Sequence, residues 1–343
     1  MPTLSNNAPQ AVILGCSGLE LLGYEAEFFR DTNPLGFILF GRNCETPDQI
    51  RELVARLKDS VGRDAPVLID QEGGRVQRLI PPHWRKAPPA ETFVNLANKL
   101  ENVGVEAACL NARLMAEELK ALGVTVNCTP VLDIPQPGAH SVIGDRAHGG
   151  APDQVTQLGR AVCDGTLGAG VLPVIKHIPG HGRSKVDSHH DLPVVDASYE
   201  QLDKVDFAPF RNLKDMPLAM TAHIVYTALD PDVVATLSRP VIENTIRSTI
   251  GFDGLLLSDD LSMEALGGTY RERAEKALAA GCDVILHCNG KMLEMTEVVK
   301  GCRPMDSQAI RRYNDAEIRR LESIDNDFDK VDALAKLSSM LAG

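Results

Sequence analysis

Short apolar runs rich in β-branched residues alternate along the chain with segments in which Leu, Ala and Val recur at helical spacing. The runs predict strands at residues 11–14, 36–40, 67–69, 124–127, 171–175, 218–221, 255–257 and 284–286. The periodic segments predict helices at residues 46–61, 96–122, 153–167, 199–213, 239–250 and 270–280. Alternation of this kind is typical of a parallel sheet covered by helices.

Eight such strand and helix units in 343 residues fit one closed (β/α)8 barrel of the TIM type, which we predict as a single domain over residues 1–343. A doubly wound open sheet is the alternative. The chain has neither GxGxxG after the first strand nor GxxxxGK[ST], so the nucleotide-binding fingerprints that favour the open sheet are missing. The apolar positions after Arg303 predict extra C-terminal helices that pack on the barrel.

Composition and charge narrow the class of protein. The formal net charge of −12 opposes nonspecific binding to nucleic acid or to anionic membranes. The eight cysteines form no CxxC and most lie in apolar segments, which favours buried free thiols and a reducing compartment. The N-terminus does not resemble a signal peptide, and no apolar run is long enough to span a membrane. We therefore expect a cytoplasmic protein. We also expect a monomer, because a complete barrel needs no partner to cover its core.

The densest candidate chemistry lies in residues 176–193, KHIPGHGRSKVDSHHDLP, which follow the fifth predicted strand. This stretch contains four of the nine histidines, and its glycines and prolines disfavour regular structure. Other polar side chains also follow predicted strands: Asp70, Glu72, Arg75, Arg78, Lys176, His177, His223, Asp259, Asp260, His287 and Asn289. In a barrel these strand ends form one rim, where active sites lie.

Each of these residues singly has a simpler explanation. Ser258, Asp259 or Asp260 before the helix-like LSMEAL could be an N-cap, for example. Capping does not require a Lys-His pair, two arginines and several carboxylates on one rim. Glycosidic cleavage does need a carboxylate beneath the anomeric carbon, a proton donor at the leaving oxygen and polar groups around the sugar hydroxyls. The rim can supply all three.

Four blocks of sequence are specific enough to suggest a family. VLIDQEGGRVQR, GDRAHG at 144–149, KHIPGHG with the following DSHHDLP, and LLLSDDLSM together resemble the bacterial cytoplasmic β-N-acetylglucosaminidases of glycoside hydrolase family three, the single-barrel enzymes of peptidoglycan recycling. The resemblance extends from about the first predicted strand to the eighth. It implies a retaining exo-glycosidase that removes terminal β-linked N-acetylglucosamine from fragments such as GlcNAc-1,6-anhydro-MurNAc and uses no cofactor or metal.

The resemblance also implies a role for particular residues. Asp259 matches the family's catalytic nucleophile, and His189 matches its histidine acid/base, with Asp187 as the partner of His189. The positions that would hold the N-acetylglucosamine ring are Asp70, Arg78, Arg146, Lys176 and His177, with Met263 near the sugar. Ile178 and His148 depart from the aromatic residues common at their positions, which bears on substrate fit rather than on the chemistry.

Physical reasoning adds expectations of its own. Lys176, Arg78 and Arg146 should keep Asp259 ionised at neutral pH. Asp187 and His189 are two residues apart, so in an extended segment they share a face, and His190 points the other way. Because Pro179, Gly180 and Gly182 lie in the same stretch, we expect a mobile flap that delivers His189 when substrate binds. His181 and His190 are the histidines least expected to do chemistry.

Other functions remain open. His177, His181, Asp187, His189 and His190 could be ligands of a metal-dependent barrel hydrolase. A sugar-binding protein that has lost catalysis is a second possibility, although it would have no use for a nucleophile paired with a proton donor. A third is a phosphorylase, because a histidine acid/base would repel phosphate less than a glutamate does. The roles of His223, His287 and Trp84 are not assigned.

Overall fold

Eight parallel strands close into a barrel in a computed structural model that describes residues 8–186 and 192–342. In chain order the barrel strands are β1 (Gln10–Gly15), β2 (Pro34–Leu39), β3 (Val67–Ile69), β4 (Val126–Asn127), β5 (Leu172–Ile178), β7 (Leu218–Thr221), β9 (Leu255–Asp260) and β10 (Val284–His287). β1 pairs with both β2 and β10 and so closes the ring. The predicted TIM-type barrel is confirmed.

The barrel strands are buried because helices cover the sheet on the outside while apolar side chains fill the inside. All six residues of β2 and all seven of β5 are buried. Burial on both faces explains why the strands read as continuous apolar runs rather than as alternating patterns. A separate pair of two-residue strands, β6 (Val194–Val195) and β8 (Val225–Tyr226), forms a small parallel sheet that the sequence did not reveal.

Helices connect the strands. Their bounds are α1 (Gly23–Thr32), α2 (Pro47–Val61), α3 (Ala90–Lys99), α4 (Glu101–Lys120), α5 (Pro152–Gly168), α6 (Tyr199–Gln201), α7 (Phe207–Asn212), α8 (Tyr270–Ala280), α9 (Met292–Lys300), α10 (Ser307–Glu322) and α11 (Lys330–Ala342). π-helical segments occupy Leu202–Asp206, between α6 and α7, and Val241–Ile250. α10 and α11 are the extra C-terminal helices that were predicted, whereas α1 and α9 were not predicted. Within the described ranges no helix is long and apolar enough to cross a membrane.

The helix predicted over residues 96–122 is confirmed over residues 101–120 as α4, but residues 96–99 belong to a separate helix, α3. Leu100 adopts an extended conformation, with φ −144° and ψ 91°, and separates α3 from α4. The two helices pack closely where Gly104 meets Ala97, since a Cβ on Gly104 would lie 2.3 Å from the Ala97 backbone nitrogen. The apolar spacing runs on through the break without a proline or glycine stop, so the sequence gives no sign of it.

The simpler explanation of Asp259 and Asp260, as N-caps of a helix at LSMEAL, is wrong. β9 continues through Asp259 to Asp260, and the next helix, α8, begins only at Tyr270 with Thr269 as its N-cap. Residues 261–269 form turns instead. Asp259 and Asp260 are therefore strand residues, and neither caps a helix.

Candidate active site

One cavity of about 290 Å³ opens at the carboxyl ends of the barrel strands. It is lined by every described residue for which the resemblance implied a role, namely Asp70, Arg78, Arg146, Lys176, His177, Asp259 and Met263. The barrel positions them: Asp70 follows β3, Lys176 and His177 belong to β5, and Asp259 belongs to β9. Residues separated by up to 193 positions, such as Asp70 and Met263, thus share one site.

A chain of alternating charges crosses one wall of the cavity. Arg78 Nη2 lies 3.2 Å from Asp70 Oδ2, and Asp70 Oδ1 lies 3.0 Å from Lys176 Nζ. Lys176 Nζ is also 2.7 Å from Glu72 Oε1, and Arg146 binds Glu72 through two contacts of 2.8 Å. Five side chains therefore form one network, Arg78–Asp70–Lys176–Glu72–Arg146, with three cations and two carboxylates.

The network keeps its members ionised despite burial. Burial alone would raise the pKa of Asp70 and of Glu72. Lys176 and Arg78 instead hold the pKa of Asp70 below its ordinary value, and Lys176 and Arg146 do the same for Glu72. Burial alone would lower the pKa of Lys176, but the charges of Asp70 and Glu72 raise it above its ordinary value. The wall therefore offers fixed donors and acceptors at neutral pH, with a formal excess of one positive charge.

Asp259 and Asp260 differ in what holds their carboxylates. Asp260 Oδ1 accepts the backbone N–H groups of Ser262 and Cys288 at 3.0 and 3.1 Å, and Oδ2 accepts the Ser262 hydroxyl at 2.6 Å. Asp259 Oδ1 accepts the backbone N–H of Asp260 at 2.8 Å. Both side chains reach the cavity, but that of Asp260 ties the turn after β9 to the end of β10.

His177 is held by Asp133, a residue that the sequence did not single out. Nδ1 of His177 lies 2.7 Å from Oδ2 of Asp133, which is completely buried. Oδ1 of Asp133 accepts the backbone N–H groups of His177 and His181. The His181 ring lies 5.6 Å from that of His177 and lines the same cavity, which was not expected of it. Burial, followed by the neighbouring His177 ring, lowers the pKa of His181 to about 4, so this ring is neutral at pH 7.

Hydrogen bonds, an ion pair and close packing hold the described part of the 176–193 stretch against the rest of the barrel. Tyr226 donates to the Gly180 carbonyl at 2.8 Å, and Arg183 Nε lies 2.7 Å from Asp206 in the π-helical segment. A Cβ on Gly182 would lie 1.9 Å from the Ile134 carbonyl oxygen. A Cβ on Gly180 would lie 2.9 Å from the Cβ of Asp206. These glycines permit close packing, so their presence is not in itself evidence for a mobile flap.

Asp187, His189 and His190 lie outside the described residues, so their predicted roles and the predicted flap remain predictions. The alternative metal site also remains a prediction, because three of its five suggested ligands lie outside the described residues. Within residues 8–186 and 192–342, no group of three or more His, Cys, Asp or Glu side chains is arranged to hold a metal ion.

The residues left without a role have structural contacts. His223 is fully buried, with Nδ1 2.7 Å from the Thr236 hydroxyl and Nε2 3.1 Å from the Asp260 carbonyl oxygen. His287 is buried against the ring of Tyr270, and Trp84 packs on the barrel core. His148 contacts the Val131 carbonyl oxygen through Nδ1 at 2.9 Å. All eight cysteines are free, and five of them are buried.

Sequence reasoning named Glu72 at the rim without a role and overlooked Asp133. The role of Glu72 is the easier of the two to infer from the sequence, because Glu72 follows β3 two residues after Asp70. Asp133 lies six residues beyond β4, within LDIP, and its partners come from β5 and the following loop. The pairing of β4 with β5, continued by the bridge between Val131 and Lys176, brings these partners together.

Comparison with known proteins agrees with this geometry. The family model described as "Glycosyl hydrolase family 3 N terminal domain" matches residues 24–315. A beta-hexosaminidase of Tolumonas auensis is 38% identical over 285 residues, covering 82% of this chain and 83% of the relative. A beta-hexosaminidase of Nitrosomonas eutropha is 38% identical over 258 residues, covering 74% and 73%.

Solved structures are similar over nearly the whole chain. NagZ from Neisseria gonorrhoeae in complex with N-trifluoroacetyl-D-glucosamine has a TM-score of 0.86 and 29% identity, covering 99% of both chains. A family 3 β-N-acetylglucosaminidase from Paenibacillus sp. has a TM-score of 0.82 and 30% identity, covering 96% of this chain and 67% of that one. The chain belongs to glycosyl hydrolase family 3, and it is a glycosidase.

Proposed function

We propose that this glycosidase is a retaining exo-β-N-acetylglucosaminidase that removes terminal β-linked N-acetylglucosamine from peptidoglycan fragments such as GlcNAc-1,6-anhydro-MurNAc. The observation that carries the proposal is that Asp259 reaches the same cavity as the charged network that includes Asp70 and Lys176. A carboxylate at a strand end, facing polar groups of fixed charge, is the arrangement that displacement at an anomeric carbon needs.

In the first step Asp259 would attack the anomeric carbon as an anion, and the bond from that carbon to the leaving oxygen would break. His189, oriented by Asp187, would give its proton to the leaving oxygen, so that the aglycone departs as an alcohol. In the second step His189 would take a proton from water, whose oxygen would displace Asp259 from the sugar. Two inversions give net retention of configuration.

The remaining residues would bind the sugar. The five network side chains offer donors on Arg78, Lys176 and Arg146 and acceptor oxygens on Asp70 and Glu72, and sugar hydroxyls can use both. The His177 ring would also contact the N-acetylglucosamine, and Met263 contributes an apolar surface to the same cavity. The N-trifluoroacetyl-D-glucosamine in complex with NagZ from Neisseria gonorrhoeae supports an N-acetylglucosamine-type sugar for this chain.

The excess positive charge also favours the ionised form of Asp259. With Arg75, Asp259 and Asp260, which line the same cavity, the network makes four cations and four carboxylates, so an ionised Asp259 leaves these side chains neutral together. Opposite charge nearby stabilises a carboxylate in a buried site. Eight free cysteines support a reducing compartment, and we propose the cytoplasm.

Assay with the disaccharide GlcNAc-1,6-anhydro-MurNAc and with an aryl N-acetyl-β-glucosaminide tests the proposal. We expect both to release N-acetylglucosamine, with the β-configured product forming first. Hydrolysis of an aryl β-glucoside without any action on the N-acetylated sugars would contradict it.

Phosphorolysis on the same scaffold is a second candidate, favoured by the excess positive charge of the network and by a proposed acid/base that carries no negative charge. Phosphate would then replace water as the second-step acceptor. Product analysis in phosphate buffer separates the two. N-acetylglucosamine alone supports hydrolysis, and N-acetylglucosamine 1-phosphate supports phosphorolysis.

A further inference from the structure

The buried carboxylate of Asp133 accepts hydrogen bonds from two residues that line the cavity, His177 and His181. Oδ1 accepts the backbone N–H of His177 at 3.1 Å and that of His181 at 2.6 Å. Oδ2 lies 2.7 Å from Nδ1 of the His177 ring. Asp133 does not itself line the cavity, but both histidines do.

The charge of Asp133 decides which nitrogen of His177 carries a proton. Burial alone would raise the pKa of Asp133, but the His177 ring and the N–H of His181 hold it below its ordinary value. An ionised carboxylate can only accept hydrogen bonds, so Nδ1 of His177 must be the donor. The ring then has Nε2 left for contact with a ligand in the cavity.

We propose that Asp133 is a positioning residue that fixes the tautomer and the direction of His177, so that Nε2 is presented to the sugar. The same carboxylate accepts the backbone N–H of His181, so it also holds His177 and His181 in a fixed position relative to each other. The proposal rests on the proposed function in one respect, which is that His177 contacts the bound N-acetylglucosamine.

A buried carboxylate could also serve only to anchor the loop, and the chain contains one for comparison. Asp206 is buried and anchors the same loop through Arg183, with 2.7 Å between Oδ2 and Nε. It neither lines the cavity nor contacts His177. Loss of an anchor alone would therefore have similar consequences at Asp133 and at Asp206.

Asp133→Asn changes one contact and keeps the others. The amide oxygen can still accept the two backbone N–H groups, while the amide nitrogen faces Nδ1 and forces the proton of His177 onto Nε2. We expect the affinity for N-acetylglucosamine, measured by calorimetry, and kcat/KM for an aryl N-acetylglucosaminide to fall at least about tenfold. Asp206→Asn should change both by less than about threefold.

A double-mutant cycle tests whether Asp133 acts through His177. In a His177→Ala background, Asp133→Asn should change the affinity for N-acetylglucosamine by less than about twofold. A further tenfold loss there, or Asp133→Asn with wild-type affinity and kcat/KM, would overturn the proposal. So would equal losses in Asp133→Asn and Asp206→Asn.

The ¹⁵N NMR spectrum of the histidine side chains tests the tautomer without any activity measurement. We expect His177 of the wild-type enzyme, assigned by its loss in His177→Ala, to carry its proton on Nδ1 and to lose it in Asp133→Asn. An unprotonated Nδ1 in the wild type would contradict the proposal. If the wild type cleaves no N-acetylglucosaminide, the proposed function fails, and the spectrum still decides the role of Asp133.

Discussion

Lys176 and Glu72 form an ion pair across the barrel mouth, with 2.7 Å between Nζ and Oε1, although both side chains are at least nine-tenths buried. Glu72 also holds Arg146 at 2.8 Å through each of its two oxygens. One carboxylate therefore compensates two buried cations. Buried charges are tolerated only when they are paired and hydrogen-bonded, so the geometry of the proposed sugar site depends on Glu72.

Replacement of Glu72 should accordingly be costly. Glu72→Ala leaves Arg146 and Lys176 with less compensation, and we expect the free energy of unfolding to fall by roughly 3–5 kcal/mol in urea denaturation. Glu106→Ala is the matched control, because Glu106 pairs with Lys336 at the exposed surface. Its cost should stay below about 1 kcal/mol. Equal costs for the two variants would show that the buried network has no special importance.

The two neighbouring aspartates of β9 should respond differently to substitution. Asp259→Asn removes the proposed nucleophile, and we expect kcat for an aryl N-acetylglucosaminide to fall more than about 10³-fold with an unchanged circular dichroism spectrum. Asp260→Asn keeps an acceptor for the N–H groups of Ser262 and Cys288 and should retain measurable turnover. Larger loss in Asp260→Asn than in Asp259→Asn would reverse the assignment.

Gly182 should be intolerant of a side chain. A Cβ there would lie 1.9 Å from the Ile134 carbonyl oxygen, so the loop must shift, and we expect Gly182→Ala to destabilise the fold by roughly 1–3 kcal/mol. Gly150→Ala is the control, because a Cβ on Gly150 meets nothing within 4 Å. Thermal unfolding of both variants is the measurement. Unchanged stability of Gly182→Ala would mean that the loop yields readily, as the flap hypothesis requires.

Stability should depend on pH through His181. Burial, with the neighbouring His177 ring second, lowers its pKa from 6.5 to about 4, so between these values the unfolded chain binds more protons than the folded one. The free energy of unfolding then rises with pH in this window, by up to about 1.4 kcal/mol per pH unit from this group. Urea denaturation at several pH values should give a shallower slope for His181→Gln. Identical slopes would contradict the lowered pKa.

The order of the barrel strands and the rim residues could be predicted from the sequence, because apolar runs mark buried strands and the polar residues after them mark strand ends. The break at Leu100 could not, since the apolar spacing continues through it and the close approach of Gly104 to Ala97 is a contact of the folded chain. The local sequence SDDLSMEAL satisfies the rules for a capped helix. Pairing with β10, in which Asp260 lies opposite Leu286, instead extends β9 to Asp260.

Within the site, the contacts that could not be predicted from the sequence join residues that are distant in the chain. Lys176 and Asp70 are recognisable from their motifs, but nothing local to Asp133 indicates that it will meet His177 Nδ1 44 residues later. The same applies to the glycines of the 176–193 stretch. Their composition suggests mobility, whereas the Ile134 carbonyl, brought against Gly182 by the tertiary fold, makes a glycine necessary for packing.

The most direct test of the proposed mechanism is to trap the glycosyl-enzyme with a fluorinated N-acetylglucosaminide and to identify the labelled peptide by mass spectrometry. The double-displacement mechanism predicts a single label on Asp259, at the end of β9. A label on another residue, or slow inactivation without any covalent label, would contradict it and would favour a route through the substrate's own N-acetyl group.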